Sequence, residues 1–255
     1  MKTLKPILPL FLCFGVAASL PAPAQSPVQP QNGTVAANTT SDRTTTASST
    51  VSPGSPRIIY TFSHPQLQPA NYTITVDETG DGRFVSQPGN APVDRNEDVY
   101  PAPMDRKIHL DDSLRDELFS YARTHGYFAG PCERTGKLAF TGNKTLSYSG
   151  ADGHGSCAFI WAADPALQHL SDQMEAVALT LEIGRRLDVE IRHDRLGLDA
   201  ELQTLQDAVK NQRASGLPNI APELRTIAAD QQVMDRARKR ALTLLSSCEA
   251  APKAN

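Results

Sequence analysis

The stretch TVDETGDGRFV, Thr75 to Val85, sets Asp77, Asp81 and Gly82 at the first, fifth and sixth positions of a possible calcium loop. Such a loop needs oxygen ligands at its first, third, fifth and ninth positions and a bidentate glutamate at its twelfth. Thr79 is a poor third ligand, Pro88 offers no side-chain ligand at the twelfth, and the flanks read as strands rather than helices. The stretch is therefore expected to be a β-turn. A second lead is GADGHGSCAF, Gly150 to Phe159, where His154 and Ser156 lie two residues apart. A nucleophile elbow wants Gly-x-Ser-x-Gly between a strand and a helix. Here Cys157 and Ala158 follow Ser156 and enter a strand, so a flexible hairpin loop is the simpler expectation.

Cys132, His154 and Cys157, with His125 as a fourth donor, have the right types for zinc. Their spacing matches no standard zinc knuckle. The six histidines form no His-x-x-x-His or His-Glu-x-x-His pattern, and glycine-rich nucleotide loops are absent. No cofactor, metal or catalytic residue is expected. A net charge of −3 and 6% aromatic residues give no basis for nucleic-acid binding. The run RRLDVEIRHDRLGLD alternates Arg185, Arg186, Arg192 and Arg195 with Asp188, Glu190 and Asp194. It reads as a solvated helix face laced by i,i+4 ion pairs; an interaction surface or carboxylate-binding groove is the alternative. DRARKR, Asp235 to Arg240, reads as the solvated basic end of a helix.

Compartment decides how the cysteines behave. Lys2 and Lys5 precede the apolar ILPLFLCFGVAASL, and Ala22-Pro23-Ala24 supplies small residues for cleavage. This is the pattern of a signal peptide over residues 1–24, with a mature start near Gln25. Leu12 before Cys13 is not the small residue that lipidation requires. No later run of 18 apolar residues would span a membrane. An exported mature chain keeps Cys132, Cys157 and Cys248, and oxidising conditions favour a disulfide. Cys132–Cys157 is favoured because both flanks read as parts of one sheet; Cys157–Cys248 is the alternative. The odd thiol is either left over or pairs between chains.

The elements come from pattern. Residues 25–56 are rich in Ser, Thr and Pro and read as a disordered linker. RIIYTF, NYTITV and GRFVSQ alternate as strands, and 87–107 reads as a long loop. HLDDSLRDELFSYARTHG reads as a helix capped by Asp111 or Asp112. KLAFTGNKTLSYSG reads as a hairpin turning at Gly142-Asn143, and SCAFIWAA as a further strand. Residues 57–163 are thus expected to form a small α+β domain of about five antiparallel strands and one helix. From Pro165 a 3–4 spacing of Leu167, Leu170, Met174, Val177 and Leu181 marks long amphipathic helices over 164–248. A break near Gly197 is expected, with Asp199 capping a new helix after it. A final helical pair is expected with Asp230 as its cap, a single unit of α-solenoid character. The helical segment must pack on the sheet or associate with another chain.

GRRLDVEIRHDRLGLDAEL followed by RARKRALTLL resembles a family of exported bacterial proteins, mainly over residues 160–246. The resemblance implies export and supplies no catalytic residues. Function is expected to be non-enzymatic: an exported binding or envelope-associated module, with an unknown partner or self-association through the long helix. The alternative is a secreted hydrolase with a site between the 87–107 loop and the 150–157 turn.

Overall fold

Alternation builds the sheet. In β1 (Arg57–Ser63) Ile58, Tyr60 and Phe62 are buried, and in β2 (Asn71–Asp77) so are Tyr72, Ile74 and Val76. β3 (Asp81–Gln87), β4 (Met104–His109), β5 (Asn143–Gly150) and β6 (Gly153–Phe159) complete one antiparallel sheet of order β4-β3-β2-β1-β5-β6. The computed structural model describes residues 55–89 and 101–249, which lie in one compact unit. The expected signal peptide at 1–24, almost all of the 25–56 linker and the middle of the 87–107 loop lie outside the described residues.

The architecture is α+β, with six strands where the sequence suggested about five. β4 was hidden inside the expected loop because its inner-facing residues are Met104, Arg106 and Ile108, a phase broken by a charge. Arg106 reaches from this edge to Glu223 at 2.7 Å. The amide of Asn219 takes the place of a further strand: its Oδ1 accepts from His109 N at 2.8 Å and its Nδ2 donates to His109 O at 2.9 Å. An edge strand left with unpaired backbone groups would invite aggregation. The hairpin expected at Leu138–Tyr148 does not form. Leu138 and Phe140 lie outside any strand, and β5 turns into β6 at Ala151-Asp152. Both edges of β5 are already taken, by β1 and β6, so 138–140 has no place to pair.

Helix α1 (Asp112–Thr124) starts as expected, with Asp111 Oδ1 accepting from Leu114 N at 3.0 Å. It lays Phe119 against Tyr148 on the inner face of the sheet and so carries the chain from the β4 side back toward β5. Gly126, Tyr127 and Phe128 then make a left-handed turn with φ of 65°, 59° and 65°. That conformation costs about 1–2 kcal/mol for each non-glycine residue. Burial of Phe128 and the seating of Tyr127 on β6 offset it. A Cβ at Gly153 would lie 2.3 Å from the Tyr127 ring, and one at Gly155 would lie 2.3 Å from the Tyr127 carbonyl oxygen. The glycines of GADGHGSCAF are therefore not hinges of a flexible loop. They make a bare stretch of strand on which the turn rests.

The helical segment begins at α2 (Pro165–His193), capped by Asp164, whose Oδ1 accepts from Ala166 N at 2.9 Å. The chain breaks at 194–197 and resumes as α3 (Leu198–Lys210), α4 (Ala221–Ala229) and α5 (Asp235–Glu249). Consecutive buried residues Ala176, Val177 and Ala178 show that the middle of α2 is covered on more than one side. Core residues on both sides of position 164 belong to one continuous cluster. At Gly184 α2 meets the 3-10 turn Leu217–Ile220 so closely that a Cβ would lie 2.3 Å from Ile220 Cγ2.

Four expectations about charge are revised by the structure. Asp199 does not cap α3, which begins after Gly197; its carboxylate, nearly buried, pairs with Arg236 at 2.6 Å and Arg240 at 3.0 Å on α5. Asp230 stands at the C-terminal end of α4, its backbone N–H donating to Thr226 O, and does not cap α5; its side chain accepts from Gln232 N and pairs with Arg195. DRARKR opens α5 instead of ending it; Arg236 and Arg240 pair with Asp199 on α3, and Arg238 pairs with Asp235 in its own helix. The run RRLDVEIRHDRLGLD is likewise only partly solvated. Asp188 and Arg192 pair along the exposed face, whereas Arg186 pairs with the buried Glu201 at 2.9 Å.

Gly184→Ala should lower stability by about 1–3 kcal/mol through overpacking against Ile220, read as a lower midpoint in urea unfolding. Burial opposes ionisation of Asp199, but hydrogen bonds and charge from Arg236 and Arg240 outweigh it and hold its carboxyl below the usual range. A depressed carboxyl stabilises the fold above its unfolded pKa, and the gain disappears as pH falls through the folded one. Asp199→Asn should therefore unfold more readily than the parent at pH 7, and the two midpoints should converge below about pH 4.

Candidate functional site

The residues that the sequence offered for chemistry are dispersed. Asp77 Oδ1 accepts from Thr79 N at 2.9 Å, and Asp81 Oδ1 lies 2.9 Å from His109 Nδ1. The calcium-like stretch is a turn between β2 and β3, and among the described residues no group of three or more His, Cys, Asp or Glu could hold a metal. Cys132 and Cys157 form a disulfide with a Cα–Cα distance of 6.0 Å, so neither is a thiolate ligand. The alternative Cys157–Cys248 pairing does not occur, and Cys248 lies half-buried on α5. Ser156 Oγ bonds Ser147 Oγ at 2.8 Å, and His154 stands opposite Ser149 on the neighbouring strand. The nearby Asp152 is engaged by Tyr148 and Arg123. The 87–107 loop enters β4, at the sheet edge opposite β6. Five strand spacings, roughly 24 Å, separate those edges.

A different group converges. Lys144 takes an inward position in β5, in the same phase as Leu146 and Tyr148, and is 3% exposed. Its Nζ lies 2.9 Å from Glu175 Oε1, 3.4 Å from the Ile160 carbonyl and 5.6 Å from the centre of the Trp161 ring. The Tyr60 hydroxyl, from β1, meets Ser171 Oγ at 3.1 Å and Glu175 Oε1 at 3.4 Å. Tyr72 packs beside Tyr60 and stacks on Phe62. Burial pushes both phenols well above their ordinary range, with the Glu175 charge adding to it. A buried charge needs a partner and hydrogen bonds to be tolerated. Here Glu175 supplies the partner from α2, and the tyrosine and serine hydroxyls share the load.

Glu175 is also the exit from this network, because its side chain is one-third exposed at the wall of a cleft of about 560 Å³. Asp172, Leu179 and Glu182 of α2 form one wall, Leu67, Gln68 and Pro69 form the other, and Gln212 and Arg213 complete the lining. Gln68 fixes the second wall by a paired contact with Gly89: Gly89 N donates to Gln68 Oε1 at 2.9 Å and Gln68 Nε2 donates to Gly89 O at 3.3 Å. Most of the lining is apolar, and Leu67 stands 46% exposed at the lip. Glu182 is held by Arg185, and Asp172 accepts from Gln168 at 2.7 Å. The arrangement can receive an apolar group with a positive charge beside it. A nucleophile paired with a base is not part of the lining.

Lys144 and Glu175 were not among the residues that the sequence singled out. The signal was present for one of them: NKTLSYSG alternates, and Lys144 falls in the apolar phase with Leu146 and Tyr148. Its partner, 31 residues further on in a helix, had no such mark.

No family model matches the chain, and no curated protein matches it either.

Removing one member of a buried ion pair leaves the other uncompensated, whereas replacing both can be neutral. Lys144→Met should destabilise by about 2–4 kcal/mol, and adding Glu175→Leu should restore most of the loss. Urea midpoints of the two single variants and the double variant measure this coupling.

Proposed function

We propose that the chain is an exported, non-enzymatic binding module whose ligand seats in the cleft between α2 and residues 64–70. The observation that carries the reading is the cleft: a mostly apolar lining of about 560 Å³ with the carboxylates of Asp172 and Glu175 at its wall. Apolar surface supplies the affinity and a few placed polar groups fix orientation, as in small-ligand sites generally. The ligand class is an apolar group bearing an ammonium or guanidinium, because the carboxylates of Asp172, Glu175 and Glu182 line the cleft against one cation, Arg213, and Asp172 is in no ion pair among the described residues. Export is supported by the signal-like first 24 residues and by the Cys132–Cys157 disulfide, which suits an oxidising compartment. Envelope association fits the same reading, with the cleft facing a partner of that chemistry.

The test uses the exported full chain, titrated with decylammonium and, as the opposite charge, with decyl sulfate. The cation should shift the amide resonances of Leu67, Asp172 and Leu179 in two-dimensional NMR, and the anion should not. Leu67→Lys, which removes apolar surface and repels the ammonium, should weaken cation binding at least about tenfold, or ~1.4 kcal/mol, with no change in melting temperature. Equal response to both amphiphiles would remove the charge argument. An esterase or peptidase activity abolished by Ser156→Ala would replace the reading with hydrolysis.

A further inference from the structure

Two of the three carboxylates that line the cleft are already matched. Glu175 holds Lys144 at 2.9 Å, and Glu182 holds Arg185 at 2.5 Å. Two charges of opposite sign are left over in the same lining. Asp172 is in no ion pair, and the Arg213 side chain makes no hydrogen bond or ion pair, among the described residues.

Each of the two is set in place by bonds behind it. The N–H of Ala162 can only donate, so it fixes the Gln168 amide with Oε1 toward it, at 2.9 Å. Gln168 Nε2 is thereby left to donate to Asp172 Oδ1, at 2.7 Å. Only one oxygen of the carboxylate is used in this way. Arg213 follows the end of α3, where Gln212 turns the chain with a left-handed φ of 57° and Arg213 N donates to Ala208 O at 2.8 Å. Two residues on, Ser215 N donates to Ala176 O at 3.3 Å and to Thr180 Oγ1 at 3.1 Å. The stretch that carries Arg213 is thus tied to α2 at Ala176 and Thr180, on the same helix as Asp172.

Helix geometry then sets the scale of the separation. Asp172 lies four residues before Ala176 and eight before Thr180, about 6 Å to about 12 Å along the axis. The complement of the cleft is an apolar body with an ammonium at one end and an anion one or two helix turns away. A short peptide of apolar residues with free ends has this form, since three extended residues span at most about 10 Å. A zwitterionic lipid headgroup does not, because its two charges stand an ethylene unit apart. A guanidinium also suits a carboxylate, which it can take through two parallel N–H bonds.

We infer that the cleft binds short apolar peptides in their zwitterionic form, with the N-terminal ammonium on Asp172 and the C-terminal carboxylate on Arg213. This rests on the cleft being the binding site and adds to it a second, anionic contact. The apolar side chains of the peptide take the mostly apolar lining.

The test titrates the exported full chain at about pH 6, where an α-amino group is protonated. The probes are trileucine, trileucine amide and N-acetyltrileucine, beside decylammonium and dodecylphosphocholine. Trileucine should bind at least about tenfold more tightly than either blocked form and shift the amide resonances of Asp172, Leu179 and Arg213. Arg213→Gln should lower trileucine to the affinity of its amide and leave decylammonium bound at least as tightly as before. Asp172→Asn should level trileucine with N-acetyltrileucine. Both side chains are exposed, so melting temperatures should match the parent's; if a variant unfolds, the blocked peptides on the parent chain still decide. Decylammonium bound at the cleft, with trileucine no tighter than its amide, would overturn the peptide inference and leave the cleft reading standing. Tighter binding of dodecylphosphocholine than of trileucine would overturn it in favour of a lipid headgroup. No response at the cleft to decylammonium or to any form of trileucine would overturn both.

Discussion

The packing of α2 on the inner face of the sheet is the contact on which the rest depends. The sheet turns Ile58, Tyr60, Ile74, Phe84 and Leu146 to one side, each without measurable exposure. Left uncovered, each large apolar side chain would forfeit about 1.5–3 kcal/mol of burial. α2 covers them with Leu167, Leu170, Met174 and Leu181, and its middle is in turn covered by the later helices. The helix is thus shared between two layers. That sharing explains why Gly184 has no room for a side chain. It also explains why Glu201 and Asp199, both nearly buried, are drawn into pairs between helices.

Placing a polar network on that same interface has a consequence for function. Lys144 and Glu175 face each other across the sheet–helix boundary, one from β5 and one from α2. With one member of the pair at a cleft wall, the geometry of the cleft is tied to the core. The wall of α2 cannot shift without disturbing a buried charge pair. The opposite wall is held by the Gln68–Gly89 contact, so both sides are preorganised. A preorganised site binds without the cost of ordering its own walls.

The two ends of the sheet show how the fold deals with its edges. At β4 the side chain of Asn219 occupies backbone groups that another strand would take, and Arg106 anchors the edge to α4. At β6 a left-handed turn and a disulfide occupy the flank. Glycines at 153 and 155 are the condition for that turn, since a side chain at either would collide with Tyr127. The outer face between these edges carries the Arg83–Asp105 pair near one end of its strands and uncharged Ser, Thr, Asn and Gln side chains toward the Ser63–Asn71 end.

Local pattern determined much of this protein. Alternation in RIIYTF and NYTITV set which side chains are buried, and Asp111 set the start of α1. The 3–4 spacing from Leu167 set α2, and two cysteines in one expected sheet region set the disulfide. These are legible because strand phase, helix phase and capping depend on neighbours within a few residues. Tertiary structure decided the rest. Whether 138–140 could pair depended on β5 already having two partners. Whether Arg240 was a solvated cation depended on Asp199, 41 residues away. Whether Lys144 was a misplaced charge or half of a buried pair depended on a helix 31 residues later. Pairing, burial of charge and the walls of a cleft are relations between distant segments, and no local pattern encodes which segments will meet.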